Sequence, residues 1–185
     1  MRIISLFSLS LLLLFIGCAV KAPPLEQRQV KIVTLKNMLL HLSSKVDVYE
    51  AEDLAKRSVN YSYLLAQKYR AVDSPWLQNT LVNLGLKKRG LCYEWAEDLL
   101  RYLVKKNYKT LDFHTVGANI GYLNEHNALS VSAKGDSIKS SILLDAWRNS
   151  GNLYFIEIEK DRKYKWSERF GLYGILPPKG DKRGF

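Results

Sequence analysis

Near residue 109 the apolar pattern of this chain changes period. Upstream, apolar residues recur every three or four positions; downstream they alternate. A repeat of 3.6 residues puts one face of a helix in the core, whereas a repeat of two does so for a strand. Helices first and strands after argue for an α+β domain with an antiparallel sheet.

The helical half divides at its punctuation. Residues 30–42 carry Ile32, Leu35, Met38, Leu39 and Leu42 at helical spacing. A second helix begins near Asp47, where Asp47-Val48-Tyr49-Glu50 resembles a capping box, and its apolar line runs Val48, Ala51, Ala55, Ser62, Leu65, Ala66 and Tyr69. A third opens at Ser74-Pro75, continues through Trp76, Leu77, Leu81 and Leu84, and meets Gly85 as its stop. A fourth is expected over residues 92–106. The alternating half predicts strands over 110–118, 126–133, 140–147 and 153–158. A basic, aromatic tail follows from Lys160, with Tyr164, Trp166, Phe170 and Tyr173. It is expected to be irregular, packed by its aromatics and frayed at its end.

The first residues belong to a different kind of segment. Arg2 precedes an apolar run over 3–16 that is short for a membrane span and reads as a secretory signal. It closes in Phe15-Ile16-Gly17-Cys18, which resembles the lipobox of bacterial lipoproteins, although Phe15 replaces the usual leucine. That resemblance implies lipidation of Cys18, a new N-terminus there, and attachment to the extracytoplasmic (periplasmic) side of a bacterial membrane. An ordinary signal peptide or an uncleaved anchor are the alternatives, and all three put the domain outside the cytoplasm. Residues 1–17 are thus signal and 18–29, with Pro23 and Pro24, a tether. Residues 30–185 are left as one domain.

Of 185 residues 47% are hydrophobic, enough for a real core, and the formal net charge is +10. The basic excess is spread along the chain and suits either an anionic partner or a solvated surface. No nucleic-acid motif accompanies it, so nucleic acid is not expected. Neither the cysteines nor the three histidines have metal-ligand spacing, and no glycine-rich phosphate loop is present; no metal or cofactor is expected.

With Cys18 lipidated, Cys92 has no disulfide partner. It opens the fourth helix in Arg89-Gly90-Leu91-Cys92-Tyr93-Glu94-Trp95, and the inward stripe runs Cys92, Trp95, Ala96, Leu99 and Leu103. Glu94, Glu97 and Asp98 near the start and Arg101, Lys105 and Lys106 near the end follow the helix dipole. A thiol at such a terminus sits near about half a positive charge, which favours thiolate. Equally, free cysteine often serves as a small buried hydrophobe.

The turn Lys134-Gly135-Asp136-Ser137 joins two expected strands. If Gly135 and Asp136 are the centre of a type II′ turn, Ser130 faces Ser141, Ala128 faces Leu143 and His126 faces Asp145. Asn127, Leu129, Val131, Ala133, Ile142, Leu144 and Ala146 share the other, mostly apolar face. Directly opposed residues have Cβ atoms roughly 4.5–5.5 Å apart, close enough for a carboxylate to hold an imidazole N–H. A purely structural His–Asp pair would look the same. His41 and His114 are weaker alternatives, since the pattern gives neither a carboxylate.

Cys92, His126 and Asp145 together suit nucleophilic acyl chemistry: the imidazole takes the thiol proton and the aspartate fixes its tautomer. Backbone N–H groups at the helix start, with Asn83, Tyr93 or Trp147, are the candidate oxyanion donors. A cysteine opening a helix after Arg-Gly-Leu, a histidine in Glu125-His126-Asn127-Ala128-Leu129 and an aspartate in Leu143-Leu144-Asp145-Ala146-Trp147 resemble the transglutaminase-like branch of the papain-like cysteine protease superfamily. The resemblance covers about residues 75–158. It implies a papain-like core and a triad at Cys92, His126 and Asp145, acting on a protein or cell-wall peptide. The superfamily includes proteases, amidases, acyl transferases and inactive copies, so a non-catalytic binding module on the same fold is the rival.

Overall fold

A computed structural model of the protein describes Val20 and residues 23–169. The expected signal, the lipidation site Cys18 and the tail from Phe170, with Tyr173 and Pro177-Pro178, lie outside the described residues. Four helices come first: α1 (Leu25–Leu42), α2 (Val48–Lys68), α3 (Pro75–Asn83) and α4 (Cys92–Leu103). Five strands follow: β1 (Leu111–Ala118), β2 (His126–Ala133), β3 (Ile142–Asp145), β4 (Tyr154–Glu157) and β5 (Ser167–Glu168). They form one antiparallel sheet in the order β4-β3-β2-β1-β5. The α+β class and the helix-then-strand order are those expected from the period change. No helix among the described residues is long and apolar enough to cross a membrane.

Local chemistry sets the boundaries. Asp47 Oδ1 accepts from Tyr49 N and Glu50 N, both at 2.9 Å, and so caps α2. Glu50 does not close the capping box. Its carboxylate instead takes Lys109 N (2.7 Å) and Thr110 N (2.9 Å), tying the first turn of α2 to the start of β1. α1 begins at Leu25, after Pro24, and takes in five residues expected in the tether. Upstream, Val20 N donates to Ala71 O at 3.2 Å. α4 ends in a 3-10 turn over Val104–Lys106, closed by Asn107 at φ 53°.

The sheet buries both faces. On one, Leu129, Val131, Ala133, Ile142, Leu144 and Ala146 pack against the helices, with Leu35, Leu54, Trp95, Leu99 and Leu103 from the other side. On the opposite face Val116, Ala128, Leu143 and Ile158 form a smaller cluster, capped by Trp166. The cover there is the segment 161–166, which leaves the β4 edge and reaches β5 at the far edge. β5 is fastened to β1 by the pairs Val116 with Glu168 and Gly117 with Ser167.

The β2–β3 hairpin differs from expectation in its register. Leu129 pairs with Leu144, Ser130 with Leu143 and Val131 with Ile142. The connection is longer than a two-residue turn. Gly135, at φ 86°, is third in a turn whose Asp136 N donates to Ala133 O, the position where type II turns put glycine. A 3-10 turn over Ile138–Ser140 then takes in Ser140, expected at the start of the strand, and β3 begins at Ile142. Direct opposition of His126 and Asp145 is therefore lost, but the shift is even-numbered, and both stay on one face.

Candidate active site

Gly90 shapes the approach to Cys92. Its φ is +135°, and a Cβ there would meet Gln78 Nε2 at 2.5 Å and Gln78 Cγ at 2.6 Å. Gln78 is buried in α3 and holds the loop through its amide: Nε2 donates to Arg89 O (2.9 Å) and Oε1 accepts from Val72 N (3.1 Å). From the other side, Trp95 Nε1 donates to Gly90 O at 3.0 Å, and Glu94 Oε2 accepts from Gly90 N (2.6 Å) and Leu91 N (2.9 Å). Cys92 is then the first residue of α4, a turn whose leading N–H groups lack intrahelical partners.

His126 is the first residue of β2, at the end of the sheet where α4 starts. The Cys92 thiol, 8% exposed, lies 3.8 Å from the carbonyl of Glu125. His126 itself is 2% exposed, and its Nε2 is 2.7 Å from Asp145 Oδ2. Its Nδ1 has no hydrogen-bond partner among the described residues. Burial alone would push the imidazole down. The charge of Asp145 and the bond to it, with a smaller contribution from Cys92, outweigh burial and raise the ring to about 9. The three residues picked out by the sequence are thus brought together, His126 bonding to Asp145 and interacting with Cys92.

Asp145 is fully buried and fully used. Oδ1 accepts from Arg148 N and Oδ2 from Arg148 Nε, each at 3.0 Å, in addition to the imidazole. Burial pushes the carboxyl up, but His126 and Arg148 together hold it below the ordinary carboxylate range. Arg148 also forks onto Asp161, with Nη1 at 3.2 Å and Nη2 at 2.7 Å. Its guanidinium lies between the rings of Tyr154 (4.1 Å) and Tyr164 (5.0 Å). Asp161 takes in addition the indole N–H of Trp166 at 2.9 Å.

Three aromatic rings enclose the imidazole: Trp147 at 4.7 Å, Tyr164 at 4.9 Å and Trp166 at 5.3 Å between centroids. Two of them, Tyr164 and Trp166, belong to the segment 161–166, so the described part of the tail packs by its aromatics against His126. Arg169 makes a second tie, pairing with Glu125 at 3.1 Å directly before His126.

Of the expected oxyanion donors, Trp147 commits its N–H to Asn79 Oδ1 at 3.0 Å, which fixes that amide. Asn79 Nδ2 makes no hydrogen bond among the described residues. Tyr93 is next to the thiol and exposed, while Asn83 closes α3. His114 bonds to Ser132 Oγ (2.8 Å) and lies 3.6 Å from Glu168; His41, exposed, has its Nδ1 2.6 Å from Asn37 O. Both have local partners of their own. Among the described residues no three His, Cys, Asp or Glu side chains converge as a metal site.

Gln78, Asn79, Arg148 and Asp161 were not picked out from the sequence. Arg148 offered one signal, its spacing of three from Asp145; Asp161 offered none, being joined to Arg148 only by the fold. No family model, no curated protein and no solved structure matches this chain.

Proposed function

We propose that this chain is a lipid-anchored, extracytoplasmic thiol enzyme that cleaves or transfers an amide acyl group on a protein or cell-wall peptide. What carries the reading is the buried group in which Asp145 holds His126 Nε2 at 2.7 Å and leaves Nδ1 without a partner among the described residues, with Cys92 interacting with the same ring. In such a group the ring holds at Nδ1 the proton that the thiol gives up, and Sγ attacks the carbonyl carbon. The tetrahedral oxyanion is met by N–H groups of the α4 first turn, with Asn79 Nδ2 as the side-chain donor. Nδ1–H then protonates the departing amine, and the C–N bond breaks. Water or a second amine attacks the thioester, giving its proton to the same nitrogen; the C–S bond then breaks and Cys92 Sγ takes that proton back. A papain-like ancestry of the transglutaminase-like type fits this arrangement.

The test is covalent labelling of full-length protein by a thiol-directed acyl electrophile. Wild type is expected to label at Cys92, Cys92→Ala not at all, and His126→Ala far more slowly with the fold retained. Labelling of His126→Ala at the wild-type rate would refute the reading.

One observation favours a binding module instead: both thiol and ring are nearly closed off, and Tyr164 and Trp166 lie against the ring. On that reading the wild-type thiol resists the electrophile in the folded state, and the variants bind their envelope partner normally.

A further inference from the structure

Helix α3 has its polarity reversed. Its buried side chain is Gln78, while Trp76, Leu77 and Leu84 are exposed, as is Leu86 just beyond. At about 100° per residue Trp76, Leu77, Thr80 and Leu84 fall within one narrow stripe. Beside it lies a hollow of about 640 Å³ lined by Lys68, Tyr69, Arg70, Leu86, Lys87, Lys88 and Arg89. Lys68 and Arg89 are paired with Asp98. Arg70, Lys87 and Lys88 have no carboxylate partner among the described residues, and the Lys87 ammonium donates only to the Arg70 carbonyl.

Val20, the first described residue, lies at this same spot. Val20 N bonds to the carbonyl of Ala71, the neighbour of Arg70. Cys18 stands two residues earlier, after the apolar run over 3–16. Two residues span at most about 7 Å, so an N-terminal segment held in a bilayer brings that bilayer up to Arg70 and α3.

We propose that Trp76, Leu77, Leu84 and Leu86, flanked by Arg70, Lys87 and Lys88, form a membrane-contacting face that seats the domain on anionic phospholipid. This rests on the reading that the N-terminal segment anchors the chain. Apolar side chains enter the headgroup boundary while the cations meet phosphates, and each contribution adds to the tether. A soluble partner protein would have to displace lipid that the tether holds against this face. The seating also orients the candidate active site. Trp76 packs edge-on against Trp147 at 5.3 Å, and Trp147 lies against His126, so the site borders the membrane face. Its substrate is accordingly a peptide or acyl group held close to the lipid surface.

Full-length protein is mixed with phosphatidylcholine vesicles bearing brominated acyl chains, with or without about one-third phosphatidylglycerol. Anionic vesicles should quench tryptophan fluorescence, and Trp76→Phe should remove most of that quenching. Leu84→Trp in the same background should restore it. Joint Arg70→Glu, Lys87→Glu and Lys88→Glu should abolish the preference for anionic lipid. Raising salt from about 0.05 to 0.5 M should weaken quenching of the unaltered protein, a readout independent of any variant's folding. Protein that floats with the vesicles but whose quenching survives Trp76→Phe unchanged overturns the seating and spares the anchor. Protein that fails to float overturns both.

Discussion

His126 Nε2 lies 2.7 Å from Asp145 Oδ2 although the two residues do not oppose each other across their hairpin. The register that pairs Ser130 with Leu143 is shifted by two from the one that would oppose His126 and Asp145, so the bond between them runs diagonally over one face. Diagonal neighbours stand roughly 7–8 Å apart, within reach of an imidazole and a carboxylate that lean together. The ring of Trp147 packs against the imidazole at 4.7 Å between centroids.

This pair fixes how stability depends on pH. His126 is held at about 9 against an ordinary 6.5. A group raised in the fold stabilises fully below its unfolded value and ceases to do so as pH climbs through its folded one. At about 1.4 kcal/mol per pH unit, stability should fall by on the order of 3 kcal/mol between about pH 6.5 and pH 9. Urea unfolding across that range measures it, and His126→Gln should flatten the dependence. A wild-type midpoint that stays level through the window would contradict the assignment.

Acylation of Cys92 should depend on both of its companions. Replacing a general base typically costs about 10²–10⁴-fold, so His126→Ala should slow formation of the Cys92 adduct by that order. Asp145→Asn should keep the ring in position but lose the charge that holds its proton, and should fall between wild type and His126→Ala. Time-resolved intact-mass spectrometry of the adduct distinguishes the three.

Gly90→Ala should destabilise by about 3 kcal/mol, combining a strained positive φ with a Cβ forced into the Gln78 amide. Gln78→Ala should also destabilise, because it strands Val72 N and Arg89 O. In combination they should cost less than the two separately, since the smaller side chain makes room for the new methyl. Strict additivity in denaturant melts would show that the contact is not the cause.

Arg148→Gln should cost about 3–5 kcal/mol, because it leaves buried Asp161 without its cation and removes a partner of Asp145. Segment 161–166 should loosen with it. Arg162, Lys163 and Lys165 are exposed there and offer trypsin its cleavage sites. Limited proteolysis should cut the variant in that segment several-fold faster than wild type, and an unchanged digestion rate would argue that the segment is held by Trp166 alone.

The period change near residue 109 made the α+β class legible, and Ser74-Pro75 and Asp47 marked helix starts because capping chemistry is local. The site was legible for a narrower reason. Alternation reports which face a residue takes but not its partner, so an even-numbered slip leaves the pattern intact. His126 and Asp145 could therefore be assigned to one face while the loop between them was read too short. Ile138, apolar and next to a strand, gave no sign that it belongs to a 3-10 turn. The crossing of 161–166 was invisible because β5 has only two residues and aromatic side chains without periodicity do not reveal where they pack. The reversed stripe of α3 was equally hidden: Trp76, Leu77 and Leu84 look like core, and only the fold shows that Gln78 took the inward position.

One guanidinium clasps Asp145 with one edge and Asp161 with the other. Drawing Tyr164 and Trp166 off the imidazole therefore also slackens the carboxylate that aims it. Any approach to the imidazole from that side would disturb the link that runs from Asp161 through Arg148 to Asp145.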